Sequence, residues 1–224
     1  MAKVNRCWCY YIRTNHARPI IMEKSVLLFD IDYTIFNTDR FKKKISEYIY
    51  RYFHLEKNSI DLFDKQYQEG IQEKIGINIK DYSEQLSKKF SLPPDRIFNL
   101  IMDNQNLYLH SLYPDTLPAL SLLSKKHILG IFSQGYISFQ MNKLNKMGIL
   151  PFFDEKHIYI FPHKIHKDNM EKLPKNAVVI DDKLSVVEAI SSTLPAILIT
   201  RGTTLPSYKP SIKRLTEIID ILSS

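Results

Sequence analysis

The chain has 224 residues, enough for one sizeable domain or for a core domain carrying an insertion. Its 44% hydrophobic and 25% charged residues are those of a globular protein and exclude disordered, fibrous and disulfide-rich classes. A net charge of +7 attracts anions, whether phosphate esters, nucleic acid or lipid head groups, without choosing among them.

Residues 1–22 read as an N-terminal arm, or as an extension of a chain that starts at Met22. Arg6, Arg13, His16 and Arg18 leave no apolar run there long enough for a signal peptide or a membrane span. Cys7 and Cys9 flank Trp8 and are too few for a disulfide framework or a zinc site. The rest of the chain has no cysteine, which suits a reducing cytoplasm.

Ser25–Phe29 is a short apolar run ending in polar chemistry, the pattern of a buried strand. Phe41, Ile45, Ile49, Tyr52 and Phe53 then recur at helical spacing, opposite Lys42, Lys43, Lys44, Glu47 and Arg51. Helical patterning continues to about residue 112. Pro93-Pro94 breaks it before a stretch lined by Ile97, Leu100, Ile101, Asn104 and Tyr108. Beyond it, strand-like runs at His127–Phe132, His157–Phe161, Ala177–Ile180 and Ala196–Thr200 alternate with helical patterns. Tyr136–Met147 stops at Gly148, Leu184–Ser191 is a second helix, and Ile212, Leu215, Ile218, Ile219 and Leu222 predict a closing amphipathic helix.

Alternating strands and helices predict an α/β fold with a Rossmann-like open parallel sheet. The all-helical block is too long for a crossover. The expected organisation is therefore an arm at 1–22, a core built from 23–36 and 113–224, and a helical cap at 37–112. The lysine runs 42–44, 88–89 and 125–126 fit solvated helix faces better than a nucleic-acid surface.

Ligands of an open parallel sheet bind beyond the carboxyl ends of its strands. Asp30, Asp32 and Thr34 follow the first strand, Ser133, Gln134 and Gly135 the second, Asp181 and Asp182 the fourth. Carboxylates at that density need a cation, and oxygen-only ligation suits Mg²⁺. One carboxylate can attack phosphorus while another moves a proton.

Asp30-Ile31-Asp32-Tyr33-Thr34, Ile131–Gly135 and Val178–Asp182, each after a strand, resemble the first, second and fourth motifs of the haloacid dehalogenase (HAD) superfamily, and the helical block sits where that family's type 1 cap is inserted. The resemblance implies Asp30 as nucleophile and Asp32 as general acid/base. It implies Mg²⁺ held by the Asp30 carboxylate, the Asp32 carbonyl and Asp182, with Asp181 and Thr34 in support. Ser133 would bind a phosphate oxygen, helped by the Gln134 or Gly135 N–H. The third-motif lysine is Lys164 or Lys167; Lys164 is favoured because it lies nearer the strand end, and His163 and His166 read as solvated loop residues. Tyr33 departs from the family's usual Gly or Asn. Asn37, Asp39 and Arg40 are candidate substrate contacts.

The implied activity is Mg²⁺-dependent hydrolysis of a small phosphorylated metabolite through an aspartyl-phosphate, since Asp32 is an acid that dehalogenation does not need. A phosphoryl-transfer mutase and a non-catalytic nucleic-acid-binding protein on the same fold are the alternatives.

Overall fold

A computed structural model describes residues 25–70, 75–202, 208 and 210–222. The expected arm, with Cys7 and Cys9, lies outside the described residues. Six parallel strands form one sheet: β1 (Val26–Phe29), β2 (Ile128–Gln134), β3 (Ile158–Phe161), β4 (Ala177–Asp181), β5 (Ala196–Ile199) and β6 (Ser211–Ile212), in the order β3-β2-β1-β4-β5-β6. The strand order reverses at β1, flanked by β2 and β4, so the crevice at a switch of direction opens where β1 ends.

The strands alternate their faces as a pleat requires. Leu27 and Phe29 of β1, Leu129 and Ile131 of β2, and Val178 and Ile180 of β4 share one buried cluster. Val26, Leu28, Phe132 and Val179 belong to the cluster on the opposite face. Each such fully buried aliphatic or aromatic side chain contributes about 1.5–3 kcal/mol.

Between β1 and β2 lie α1 (Thr38–Tyr52), α2 (Lys57–Gly70), α3 (Ile79–Phe90), α4 (Pro94–Met102), α5 (Gln105–Leu109) and α6 (Thr116–Leu123). Asn37 caps α1 through its side chain, which accepts from the Arg40 N–H at 2.9 Å. Phe41, Ile45 and Ile49 of α1 are buried in the first cluster, which runs on into Ile60, Phe63, Tyr82 and Leu86 of the helices that follow. Helices α7 (Ile137–Lys146), α8 (Lys167–Met170), α9 (Leu184–Ser191) and α10 (Ile218–Leu222) complete the chain. Gly148, φ +69°, takes the left-handed residue after α7.

Four details differ from the sequence pattern. The stretch 97–108 is two helices, because Asp103 and Asn104 interrupt it, although Ile97, Ile101 and Tyr108 are all buried as the spacing requires. Tyr52 ends α1, is 54% exposed and is no part of the buried stripe. Strand β2 runs two residues beyond Phe132, carrying Ser133 and Gln134 within the ladder. The closing segment is not one helix: Ile212 pairs in β6, Leu215–Glu217 form a 3₁₀ turn, and only Ile218–Leu222 is α-helical. Its apolar residues are buried, but tertiary pairing with β5 overrides the helical period.

Gly130 is the tightest point of β2. A Cβ there would stand 2.4 Å from the His157 carbonyl oxygen and 2.7 Å from Leu28 Cδ2. Gly130→Ala is expected to destabilise the fold by about 1–3 kcal/mol, read as a lower urea midpoint at unchanged slope. A midpoint equal to wild type would show that the β2–β3 approach is looser than described.

Candidate active site

The register brings the chemistry together. Phe29 of β1 pairs with Ile180 of β4, and the Asp30 N–H donates to the Ile180 carbonyl at 2.9 Å, so Asp30 and Asp181 leave adjacent strands side by side. Both are buried. Two carboxylates so placed repel each other, and Lys164, from the loop after β3, lies between them with its side chain 1% exposed. Its ammonium donates to Asp30 Oδ1 at 2.8 Å and to Asp181 Oδ2 at 2.5 Å, and it also lies 5.6 Å from the Phe132 ring centroid. Burial alone would lower the Lys164 pKa, but the two carboxylates push it above the ordinary lysine value. Lys167 stands on α8, with its side chain 82% exposed near Glu171, and has no part in this arrangement. His166 is likewise at the surface.

Asp182 completes an acidic group. Asp30, Asp181 and Asp182 each offer a carboxylate oxygen within 4.8 Å of the others. Asp181 Oδ1 already accepts the Lys183 N–H at 2.9 Å, whereas Asp182 Oδ1 is buried with no hydrogen-bond partner among the described residues. Burial, then repulsion from Asp30 and Asp181, raises the Asp182 pKa to about 7. Burial also raises Asp30, and Lys164 works against it; with Asp181 and Asp32 adding to the rise, Asp30 stands at about 6.

Asp32 is turned to the other side. Lys143 of α7 donates to both its oxygens, at 2.7 and 2.9 Å. Gln140 Nε2 donates at 2.9 Å and the Thr38 hydroxyl at 2.6 Å. Burial would raise Asp32, but Lys143 and these donors hold it down at about 2, firmly ionised. Lys143 itself is buried, with the Phe139 and Phe36 centroids 4.7 and 5.1 Å away. Sequence reasoning did not single out Lys143, Gln140 or Thr38. The available signal was a lysine at position 143 beside Leu144, within the apolar stripe of an otherwise amphipathic helix.

The loop after β1 is tightly wound. The Ile35 and Phe36 N–H groups both donate to the Ile31 carbonyl, at 3.1 and 3.0 Å. Tyr33 takes φ +58°, a left-handed conformation that glycine or asparagine adopts at lower cost. Its hydroxyl donates to Asp39 at 2.7 Å. The Thr34 carbonyl accepts from Arg201 Nε at 3.2 Å; its hydroxyl is buried with no hydrogen-bond partner among the described residues. Arg201 in turn holds Asp115 at 2.9 and 2.8 Å. Arg40 donates to the His110 carbonyl, so Asn37, Asp39 and Arg40 have local structural bonds.

Ser133 is buried and its hydroxyl has no hydrogen-bond partner among the described residues. Gly135 needs to be glycine: φ is +149°, and a Cβ would stand 2.8 Å from Gln140 Nε2. Its N–H donates to the Phe161 carbonyl at 3.0 Å, so of the two N–H groups expected to help at a phosphate, those of Gln134 and Gly135, this one is engaged with the end of β3. The Gln134 carbonyl accepts from Gln140 Nε2 at 2.8 Å, which ties this loop to Asp32. A cavity of about 350 Å³ opens from Asp30 and Asp32 toward Phe41, Asp64, Tyr67 and Tyr82 of α1–α3.

Residues 27–188 match the family model of haloacid dehalogenase-like hydrolases. The chain belongs to that family. Comparison with curated proteins gives no match. Among solved structures, this HAD-family chain is similar to a haloacid dehalogenase-like hydrolase from Burkholderia xenovorans LB400, at 19% identity and TM-score 0.70, over 89% of this chain and 96% of that one. It is also similar to the HAD-hydrolase YfnB from Bacillus subtilis, bound to magnesium, at 18% identity and TM-score 0.62, over 91% and 100%. A β-phosphoglucomutase from Thermotoga maritima matches at 15% identity and TM-score 0.57, over 89% and 99%. These identities establish a shared fold. No helix among the described residues is long and apolar enough to cross a membrane.

The shifted carboxylates give this HAD hydrolase a pH-dependent stability. Between about pH 4 and 7 the folded, metal-free site binds more protons than the unfolded chain, because Asp30 and Asp182 are raised to about 6 and about 7. Stability therefore falls as pH rises through that window. Below about pH 4 the sign reverses, because Asp32 is lowered to about 2 and the unfolded chain takes up the proton first. In chelator, the melting temperature is expected to peak near pH 4 and to decline on both sides, by scanning calorimetry. A melting temperature that climbs steadily from pH 5 to 8 would contradict these assignments.

Proposed function

We propose that this HAD hydrolase is a Mg²⁺-dependent phosphatase that cleaves a small phosphate monoester through an aspartyl-phosphate on Asp30. The observation that carries the reading is the buried Asp30 carboxylate with Lys164 at 2.8 Å, at the mouth of a cavity. Asp182 is the ligand with an unpartnered oxygen, and Asp30 lies within the same cluster. Among the described residues, the four carboxylates Asp30, Asp32, Asp181 and Asp182 face two buried ammonium groups, Lys143 and Lys164. The surplus of two negative charges and the oxygen-only donor set fit a divalent hard cation. The Asp32 carbonyl remains the proposed backbone ligand. Bound Mg²⁺ would screen the dianionic phosphoryl group from these carboxylates and polarise it.

Asp30 Oδ attacks phosphorus, a P–O bond forms to Asp30, and the bond to the alcohol oxygen breaks. Lys164 offsets charge on the phosphoryl oxygens, and the Ser133 hydroxyl, which has no partner among the described residues, donates to one of them. Asp32 in its ionised form takes a proton from the water that hydrolyses the aspartyl-phosphate. In the first step the protonated form of Asp32 supplies the leaving alcohol with its proton, so the Lys143 contact has to loosen as ester binds. A mutase would return the phosphoryl group to a second hydroxyl of its substrate instead of water; the shared fold with a β-phosphoglucomutase is what supports that second reading.

Turnover of p-nitrophenyl phosphate is expected to require added Mg²⁺ and to fall by at least ~10³-fold in Asp30→Asn. Equal activity in the variant, or in chelator, would overturn the proposal.

A further inference from the structure

The far end of the cavity has an unusual composition. Asp64 of α2 lines it, together with Phe41, Tyr67, Tyr82, Lys42 and Gln68. The Asp64 carboxylate accepts from the Tyr82 hydroxyl at 2.7 Å and from the Ser46 hydroxyl. These are two donors for a group with about four acceptor sites. No lysine or arginine stands within 4.0 Å of it among the described residues. Lys42, the cation whose charge it feels, is 3.4 Å from Gln68 Oε1. Burial raises the Asp64 pKa, as expected of a carboxylate without a direct counter-charge.

The tyrosines around it have their hydroxyls engaged. Tyr82 donates to Asp64, and Tyr67 donates to Asp81 at 2.8 Å. Both residues line the cavity. Tyr67 and Tyr82 meet edge to face with centroids 5.1 Å apart. Aromatic surface beside a carboxylate recognises a cation or an N–H donor. A second carboxylate or phosphate on the substrate would instead face Asp64 with like charge. Lys42 and Gln68 are the other polar side chains that line this end.

On the phosphatase reading, we infer that the alcohol half of the substrate carries a nitrogen group, an ammonium or a ring N–H, that seats against Asp64 between Phe41, Tyr67 and Tyr82. The site selects nitrogen-bearing phosphate monoesters and rejects those carrying a second anionic group.

The test is a kcat/KM series with the full chain and Mg²⁺. Aminoethyl phosphate, propyl phosphate and phosphoglycolate are near-isosteric and differ in charge. Cytidine monophosphate against ribose phosphate separates a ring nitrogen from an ammonium. At least one nitrogen-bearing ester is expected to exceed its neutral counterpart by about tenfold or more, the scale of one charge-assisted hydrogen bond, with phosphoglycolate lowest. Asp64→Asn is expected to reduce that nitrogen-to-neutral ratio by about tenfold. Phosphoglycolate turned over as well as the nitrogen esters, or a ratio unchanged in Asp64→Asn, would overturn the inference while leaving the phosphatase reading intact. If Asp64→Asn does not fold, the wild-type ranking decides alone. Inactivity on every ester, p-nitrophenyl phosphate included, would remove the phosphatase reading and this inference with it.

Discussion

One buried ammonium group organises this molecule's functional edge. Parallel pairing of β1 with β4 sets Asp30 beside Asp181, and neither can be ionised there at low cost without a cation. Lys164 supplies it from the loop after β3, reaching across β2 to both carboxylates. Removing one member of such a buried cluster would leave charge uncompensated, an effect on the order of 3–5 kcal/mol. The contact therefore ties three strands of the sheet to one another as well as placing a cation at the proposed nucleophile, Asp30.

Asp32 shows how two acids two residues apart reach opposite states. The wound loop after β1 swings Asp32 from the sheet edge toward α7, where Lys143, Gln140 and Thr38 surround it. Asp30 stays under the sheet edge with the other carboxylates. Burial acts on both, but donors dominate at Asp32 while desolvation and like charge dominate at Asp30. The separation is of the kind that divides acid–base work between neighbouring groups.

Much of this was legible in the sequence because strands buried on both faces read as continuous apolar runs, and the residue after each run falls at the same edge of a parallel sheet. Asp30, Ser133, Asp181 and Asp182 could be named that way. What the sequence left open depended on contacts distant along the chain. Lys164 and Lys167 are three residues apart and differ only in which of them the β3 loop folds inward. Lys143 lies 111 residues from Asp32, and a lysine on an amphipathic helix ordinarily faces solvent. The Gly135 N–H was lost to Phe161 through pairing with β3, and the last strand was hidden because Ile212 fits a helical period equally well.

The central claim is that Asp30 becomes covalently phosphorylated during turnover. It is tested most directly by acid-quenching the enzyme while it hydrolyses an aryl phosphate with Mg²⁺ and mapping phosphorylation by peptide mass spectrometry. The account predicts an acid-stable, base-labile phosphoryl group on the peptide that contains Asp30, absent in Asp30→Asn. A phosphoryl group on another residue, or steady turnover with none on Asp30 at any quench time, would contradict it.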